Sequence, residues 1–295
     1  MKNIRPRKGL IAAAGRGTRF LPLTKAYPKE LVAILAKPNI HYLVEELIGA
    51  DVREIAIVYR RGEEIIKRYF TPDRELATYL EKRGKIHLLE SLRLIWRKAK
   101  IYFIPQSPRL PYGNASPILA AKRFLGVEPF IFMFGDDLIL EKKVGGYISH
   151  LLKIFQKYQP AIILGAQKVS WKEIDRYASI KYIKDKIYPN RAIEVLEKLP
   201  AEQAPSNIAQ IGRFVVSSRV FSVLANQKLS KDNELWFADA VNILAKEGVA
   251  IAEPVKNGEW LTTGDTLRWL KANIKFALND KILAKEIKEF LRGVI

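Results

Sequence analysis

The chain has 295 residues, of which 48% are hydrophobic and 27% charged, enough for one large globular domain. It contains no cysteine, which excludes disulfide bonds, thiol catalysis and cysteine-ligated zinc. The formal net charge of +19 favours anionic partners such as nucleotides, sugar phosphates or nucleic acid. Because lysine and arginine are spread along the chain, the charge also fits a solvated basic surface.

Membrane and histidine-based functions are disfavoured by the sequence. No apolar run approaches the ~20 residues that span a bilayer, and the segment after the basic Met1–Lys8 is too short for a signal peptide. We therefore expect a cytoplasmic protein without a membrane partner. His41, His87 and His150 lie far apart in the sequence, which argues against a histidine triad or a histidine-rich metal site. Any metal would be held by carboxylates, which suits Mg²⁺.

The first half of the chain alternates strand and helix patterns. In order, we predict a strand at Gly9–Ala14, a helix at Asn39–Ala50, a strand at Glu54–Tyr59, a helix at Gly62–Phe70, a helical insertion at Thr71–Lys100, a strand at Ile101–Ile104, a helical segment at Ser116–Leu125, a strand at Pro129–Phe134, a helix at Lys143–Tyr158 and a strand at Ala161–Ala166. This alternation predicts an α/β fold with a doubly wound, mainly parallel, Rossmann-like sheet, whose ligands gather at the carboxyl ends of the strands.

Beyond Lys168 the pattern changes. Short β pieces at Ala178–Ile183 and Ala192–Leu196 predict a small β extension. Helices are predicted again at Asn233–Lys246 and Asp265–Leu278, followed by an amphipathic tail at Lys281–Leu291. The sequence has no internal repeat and no flexible linker. We therefore interpret residues 1–295 as a single domain with insertions and C-terminal helices.

The strongest local motif is AAAGRGTR, Ala12–Arg19, directly after the first predicted strand. Small residues let main-chain N–H groups approach a phosphate chain, and the glycines permit a tight turn. Arg19 would add a charge-assisted fork for phosphate oxygens. The spacing matches neither GxxxxGK[ST] nor GxGxxG, and glycines after a strand are also typical of a plain turn. The motif alone leaves both interpretations open.

The residues that follow this motif favour a phosphate-binding loop over a plain turn. The run AGRGTRFLPLTKAYPKEL, Ala14–Leu31, resembles the signature of sugar-1-phosphate nucleotidyltransferases, most of all bacterial-type UTP–glucose-1-phosphate uridylyltransferases. Further matches follow in the same order: Gln106 with PYGNASPILAA at Pro111–Ala121, FGDD at Phe134–Asp137, Glu197-Lys198, and SNIAQIGRF at Ser206–Phe214. The likeness covers roughly Gly9 to Phe276.

The resemblance implies a reaction. It implies an enzyme that transfers UMP from UTP to a sugar 1-phosphate with the help of Mg²⁺, giving a UDP-sugar such as UDP-glucose and pyrophosphate; dTTP is the alternative nucleotide. The attacking phosphate oxygen is already ionised near neutral pH, so catalysis requires positioned cations rather than an activated side-chain nucleophile. On this basis residues 9–168 would form a nucleotide-binding half, residues 169–278 a sugar-binding half and residues 281–295 a tail helix. The resemblance also implies a homo-oligomer, in which the tail helix packs on a neighbouring subunit or on its own domain.

The matched motifs also imply roles for individual residues on the nucleotide side. The catalytic cations on the triphosphate would be Arg19 and Lys29, with Lys25 a weaker candidate. The uracil edge would be read by Gln106 and Gly113, since a glutamine amide offers both a donor and an acceptor. The main chain that contacts the nucleotide and its base would be that of Ala12, Ala13, Ala14 and Gly15.

On the metal and sugar side, Asp136 would hold Mg²⁺, with Asp137 as the alternative ligand. An aspartate after a glycine is also common as a simple turn cap. The sugar phosphate side would be formed by Glu197, which accepts hydrogen bonds from sugar hydroxyls, by Lys198, which pairs with the phosphate, and by Ala178.

Several positions depart from the family's pattern, all of them in the sugar and metal half. Thr262 stands where a second metal-binding aspartate is expected, and Asp265 could replace it only if the loop were shifted. Ala178 replaces an expected glycine, and Leu199 interrupts a Glu-Lys-Pro run. In the segment Asp232–Trp236, a tryptophan stands where an amide is usual.

These departures leave two hypotheses within the family. The first is an active enzyme with altered sugar specificity or a looser metal site. The second is a catalytically weak paralogue that binds a nucleotide or nucleotide-sugar and regulates a partner. A nucleic-acid-binding protein is a third hypothesis, suggested by the charge. The sequence shows no helix-turn-helix, zinc module or RNP-like motif, so we do not expect a nucleic acid partner.

Overall fold

A computed structural model of the chain describes residues 5–230 and 233–294. Parts of three predicted segments lie outside these residues: positions 1–4 of the basic N-terminal stretch, Asp232 of the segment Asp232–Trp236, and position 295 of the tail helix. The strands are β1 (Lys8–Ala13), β2 (Ala33–Ile34), β3 (Lys37–Pro38), β4 (Glu54–Arg60), β5 (Lys100–Gln106), β6 (Phe130–Phe134), β7 (Asp137–Glu141), β8 (Ile162–Lys168), β9 (Ala178–Ile183), β10 (Arg191–Glu197), β11 (Ile208–Val216), β12 (Ala250–Pro254) and β13 (Gly258–Thr262).

The helices alternate with these strands. They are α1 (Asn39–Gly49), α2 (Ile65–Phe70), α3 (Arg74–Lys82), α4 (Glu90–Lys98), α5 (Ser116–Ala120), α6 (Lys122–Leu125), α7 (Gly146–Tyr158), α8 (Val220–Asn226), α9 (Phe237–Glu247), α10 (Thr266–Asn279) and α11 (Leu283–Val294). Short 3-10 turns cover Thr18–Phe20, Leu23–Lys25, Lys29–Leu31, Ile86–Leu89 and Trp171–Arg176. Among the described helices, none has both the length and the apolar character needed to cross a membrane.

A nine-stranded sheet in the order β5-β4-β1-β6-β11-β8-β12-β10-β9 forms the centre of the fold. The strands β5, β4, β1 and β6 are parallel to one another, and β12 is parallel to β8. However, β11 is antiparallel to both β6 and β8, and β10 is antiparallel to both β12 and β9. The α/β prediction is confirmed, whereas the prediction of a mainly parallel sheet is wrong for the second half, because the sheet is mixed.

Helices cover both faces of this sheet, since successive strand residues point to opposite sides. In β1, Ile11 packs with the core under α1 and α7, whereas Leu10 packs with the core under α5, α8 and α9. Side chains of β6 divide in the same way, with Met133 in the first core and Phe132 in the second. The sheet is therefore packed between two buried cores, one on each face. This packing fixes the positions of the strand ends, where the loops meet.

Most of the predicted bounds agree with the structure to within two residues, and larger differences occur at helix starts and at the end of the tail helix. The helix predicted from Lys143 begins at Gly146, because Gly145 is left-handed with φ 76°. The helix predicted from Gly62 begins at Ile65, and the one predicted from Asn233 begins at Phe237. The segment Ser116–Leu125 forms two short helices that meet at Ala121. The predicted β extension exists as β9 and β10, but both strands belong to the edge of the large sheet.

A separate two-stranded ribbon, which the sequence patterns did not predict, joins β7 and β13. Its antiparallel register places Asp137 opposite Thr262. The ribbon therefore brings the residues after β6 next to the segment that departs from the family's metal motif.

Candidate active site

The glycine loop after β1 folds back onto the Lys29 segment. Gly17 is left-handed with φ 62°, and its carbonyl accepts a hydrogen bond from Thr24 Oγ1 at 2.8 Å. A Cβ atom at Gly17 would lie 2.9 Å from Thr24 Cγ2, so a side chain does not fit there. A Cβ atom at Gly15 would lie 3.7 Å from Lys29 Nζ. The turn thus brings the Lys29 ammonium beside the main chain of the loop.

Arg19, Lys29 and Asp136 lie in one cleft. Lys29 Nζ is 2.6 Å from Asp136 Oδ2, across the end of β6. Gly264 lies between Arg19 and Asp136: a Cβ atom there would be 3.1 Å from Arg19 Nη2 and 3.0 Å from Asp136 Oδ2. The three side chains line a single cavity of about 350 Å³, a size typical of small-molecule sites.

Electrostatics keep this ion pair charged. Burial opposes ionisation of Asp136, but the charges of Lys29 and Arg19 outweigh it and lower the pKa of Asp136. Burial likewise opposes the charge on Lys29, yet the nearby Asp136 and Glu30 raise the pKa of Lys29 overall. The cavity therefore contains a charged ammonium and a charged carboxylate in contact with each other.

Two further carboxyl groups beside this pair behave differently. Burial, reinforced by the Asp136 charge, raises the pKa of Asp137 to about 6. Burial raises the pKa of Glu30 to about 7, although the Lys29 ammonium, 4.0 Å away, partly offsets the effect. Among the described residues, neither carboxylate oxygen of Glu30 has a hydrogen-bond partner.

A buried network holds Asp137. Its Oδ2 accepts the Gly212 N–H at 2.7 Å, and its carbonyl accepts Arg213 Nη2 at 2.8 Å. Arg213 is fully buried and forms a two-point ion pair with Glu46, at 2.8 Å from Nε and 2.7 Å from Nη2. The Asp137 side chain is thus engaged with the main chain of Gly212, whereas the side-chain partner of Asp136 is the Lys29 ammonium.

The predicted base-recognition residues lie at one end of the cavity. Gln106 ends β5, and its buried Oε1 has no hydrogen-bond partner among the described residues. Gly113 has φ 139°, and a Cβ atom there would lie 2.4 Å from the Leu235 carbonyl oxygen, so only glycine fits. Of the predicted main-chain contacts, Ala12, Ala14 and Gly15 line the cavity. Ala13 does not belong to that lining; its side chain is buried in the core.

The predicted sugar residues lie at the other end. Ala178 pairs with Glu197 across β9 and β10. Lys198 has φ 47° and donates its N–H to the Tyr177 carbonyl at 3.2 Å, while its Nζ lies 3.4 Å from Glu197 Oε1. These residues all line the same cavity as Arg19 and Lys29. The weaker candidate Lys25 is exposed and lies outside the lining that the structure describes.

The expected second metal carboxylate is not replaced by Asp265. Thr262 lines the cavity, whereas Asp265 caps α10 by accepting the Arg268 N–H at 3.0 Å. Asp265 Oδ2 also binds Arg176 at 2.9 Å and Arg268 Nη1 at 3.0 Å. Within residues 5–230 and 233–294, no cluster of three or more metal-binding side chains is present. Mg²⁺ is commonly held by one or two carboxylates together with substrate phosphates, so Asp136 fits such an ion.

Comparison with known proteins identifies the family of the chain. The nucleotidyl transferase family matches residues 8–278 of the chain. The chain belongs to this family. It is 34% identical over 288 residues to "UTP--glucose-1-phosphate uridylyltransferase 1" of Staphylococcus saprophyticus, covering 98% of each chain.

Two solved structures of UDP-glucose pyrophosphorylases resemble this nucleotidyl transferase. The first is a complex with UDP-glucose, which has a TM-score of 0.84 and 30% identity and covers 93% of this chain and 100% of the other. The second is the UTP-bound enzyme from Acinetobacter baumannii, which has a TM-score of 0.86 and 26% identity and covers 98% of this chain and 100% of the other.

Sequence reasoning missed several residues that line the cavity of this nucleotidyl transferase. They are Glu30, Tyr112, Arg176, Gln210, Glu234 and Trp260. Gln210 lies within the matched run Ser206–Phe214 but was assigned no role, and Arg176 lies two residues before Ala178 and carries no motif signal. A polar residue within an apolar strand pattern was a further signal for Gln210.

Proposed function

We propose that this nucleotidyl transferase joins UTP and glucose 1-phosphate to give UDP-glucose and pyrophosphate. The observation that carries the proposal is the single cavity that Arg19, Lys29 and Asp136 line together with Gln106 and Lys198. Gln106 ends the edge strand β5, and Lys198 follows β10 near the opposite edge of the sheet. A nucleotide and a sugar phosphate bound end to end would fill this arrangement. The names of the relatives agree with it.

The reaction is an in-line displacement at phosphorus. An oxygen of glucose 1-phosphate forms a bond to the α-phosphorus of UTP, and the bond from that phosphorus to the β-bridging oxygen breaks. The electron pair of the broken bond leaves with pyrophosphate. A phosphate monoester is mostly dianionic at pH 7, since its second pKa is ~6, so no side chain has to remove a proton. Positioned charge is therefore the main contribution of the protein.

Individual residues have different binding roles in this reaction. Arg19 and Lys29 bind the triphosphate, with Lys29 facing the α-phosphate or the departing pyrophosphate. Lys198 binds the phosphate of the incoming sugar and Glu197 its hydroxyls, while Ala178 lines the sugar pocket. On the nucleotide side, Gln106 and Gly113 read the uracil, and the main chain of Ala12, Ala14 and Gly15 contacts the nucleotide.

We assign Mg²⁺ to Asp136, with Asp137 as the second choice. Bound there, the ion would supply Lewis-acid chemistry that neutralises charge on the phosphates. The assignment favours Asp136 because its side-chain partner is the Lys29 ammonium, which can turn toward a phosphate instead. Asp137 is already bound to Gly212.

The regulatory alternative predicts binding without chemistry. The joint placement of Arg19, Lys29, Asp136 and Lys198 supports an enzyme, because a regulator would not require this set. The test is pyrophosphate release from UTP, dTTP, ATP and GTP with a panel of sugar 1-phosphates, with and without Mg²⁺. We expect the highest rate with UTP, glucose 1-phosphate and Mg²⁺. Tight binding of UTP without pyrophosphate release with any sugar would contradict the proposal.

The assembly, the cellular location and the division into halves remain predictions. A homo-oligomer predicts a mass above that of one chain in light scattering, and a cytoplasmic protein predicts recovery in the soluble fraction of cells. For the division into halves, substitutions within residues 9–168 should change the KM for UTP. Those within residues 169–278 should change the KM for the sugar phosphate.

A further inference from the structure

Gln210 is a buried amide on β11 that faces the cavity. Its neighbours Ala209 and Ile211 pack in the core on one side of the sheet, so the side chain of Gln210 projects from the other side. It is 8% exposed and is part of the cavity lining. Its Oε1 is buried, and no described residue donates a hydrogen bond to it.

An unpaired amide oxygen is costly at such a position. Buried polar atoms are nearly always hydrogen-bonded, and each exception requires an explanation. The residues on either side of Gln210 in β11, Ala209 and Ile211, are apolar, and a leucine or methionine at position 210 would leave no polar atom unpaired. The unpaired oxygen is explained if a ligand in the cavity supplies the donor.

The position of Gln210 indicates which part of the ligand supplies this hydrogen-bond donor. Ala209 pairs with Ser179 on β9, and the preceding residue of β9, Ala178, pairs with Glu197 on β10. Gln210 therefore lies beside the proposed sugar residues. The base end of the cavity has its own amide, Gln106, on the opposite edge strand β5.

We propose that Gln210 is a specificity-determining residue whose Oε1 accepts a hydrogen bond from one hydroxyl of the sugar. The proposal rests on the proposed function and extends it to a residue outside the matched catalytic set. A sugar that lacks this hydroxyl, or carries it in the other configuration, leaves the amide unpaired in the complex. Such a substrate is disfavoured because a buried polar atom left unpaired in the complex costs binding free energy.

A substrate series combined with a variant tests the proposal. The variant Gln210→Met keeps the side-chain volume and removes the amide. The substrates are glucose 1-phosphate and its 2-, 3-, 4- and 6-deoxy analogues, each measured by kcat/KM for pyrophosphate release. In the wild type we expect one analogue to be about tenfold poorer than glucose 1-phosphate through the Gln210 contact. In Gln210→Met, kcat/KM for glucose 1-phosphate should fall by about tenfold, whereas kcat/KM for that analogue should not change.

Binding and stability measurements complete the test. Gln210→Met should raise the Kd for UDP-glucose about tenfold in calorimetry and leave the Kd for UDP unchanged. Its thermal midpoint should equal or exceed that of the wild type, because an unpaired atom is removed. Gln210→Leu repeats the comparison if the methionine variant does not fold. The control is Gln167→Met on the adjacent strand β8, where a buried Oε1 is also unpaired but lies outside this cavity lining; its substrate preferences should match the wild type.

The failures are distinguishable. No pyrophosphate release by the wild type with any sugar 1-phosphate would overturn the proposed function itself. A wild type that is active, together with a Gln210→Met variant that loses nothing or loses equally on all five substrates, would overturn the role of Gln210 alone.

Discussion

Lys29 Nζ lies 2.6 Å from Asp136 Oδ2, although 107 positions separate the two residues in the sequence. Lys29 follows the glycine loop after β1, and Asp136 follows β6, the strand hydrogen-bonded to β1. The contact is therefore a consequence of parallel neighbours ending at the same edge of the sheet. It places an anion-binding and a cation-binding group at one point, as transfer between two phosphates requires.

Gly113 should tolerate no side chain. In Gly113→Ala, the new Cβ would lie 2.4 Å from the Leu235 carbonyl oxygen, so the base-recognition loop has to move. We expect the KM for UTP to rise at least about tenfold. The control is Gly126→Ala, also at positive φ (70°) but with no atom within 4 Å of the new Cβ. Equal effects of the two variants on the KM would contradict the assignment of Gly113 to the base.

Arg213 and Glu46 should behave as a buried pair. Glu46→Gln leaves the fully buried Arg213 without its counter-charge, so we expect a loss of about 3 kcal/mol in the free energy of unfolding. The double variant Glu46→Leu/Arg213→Met removes both charges and should recover part of this loss. Denaturant unfolding provides the measurement. A double variant whose free energy of unfolding is no higher than that of Glu46→Gln would contradict the interpretation.

Glu30 should make stability depend on pH. Burial raises its pKa from 4.5 to about 7, so the folded state holds the proton more tightly than the unfolded chain. Ionisation of the unfolded chain therefore reduces stability as the pH rises from about 4 to about 7. Glu30→Gln should match the wild type near pH 4 and be more stable by about 3 kcal/mol at pH 8. A difference that stays constant across this range would contradict the prediction.

Thr262→Asp should leave the rate of pyrophosphate release unchanged or raise it. Thr262 lines the cavity opposite Asp137, so a carboxylate there adds a ligand to the proposed metal site. We expect half-maximal activity at a lower Mg²⁺ concentration, and no such change in the neutral variant Thr262→Asn. A sharp loss in the aspartate variant alone would mean that position 262 does not face the metal.

The sequence predicted those parts of the fold that depend on local pattern. Bounds such as Ala178–Ile183 were correct because apolar alternation and turn residues define them. The direction of β11 was not predictable, since an apolar strand has the same pattern whichever way it runs. The β7–β13 ribbon was missed because each strand is only five residues long and pairs with a distant segment.

The residues of the candidate site likewise fall into those that the sequence could identify and those that it could not. Arg19, Lys29, Asp136 and Lys198 were identifiable because they stand in motifs. The roles of Gln210 and of the Glu46–Arg213 pair were not identifiable, although Gln210 and Arg213 lie in the matched run Ser206–Phe214. These roles depend on contacts between strands and helices far apart in the sequence. The capping role of Asp265 likewise depends on Arg176 and Arg268, which no spacing rule connects to it.

The central claim is that the Lys29 ammonium and its neighbours bind the triphosphate of UTP. The most direct test is pyrophosphate release from UTP and glucose 1-phosphate by Lys29→Ala, with Lys25→Ala as the control on the same loop. We predict that Lys29→Ala lowers kcat/KM for UTP by about a thousandfold and that Lys25→Ala stays within about twofold of the wild type. Wild-type activity in Lys29→Ala would contradict the account.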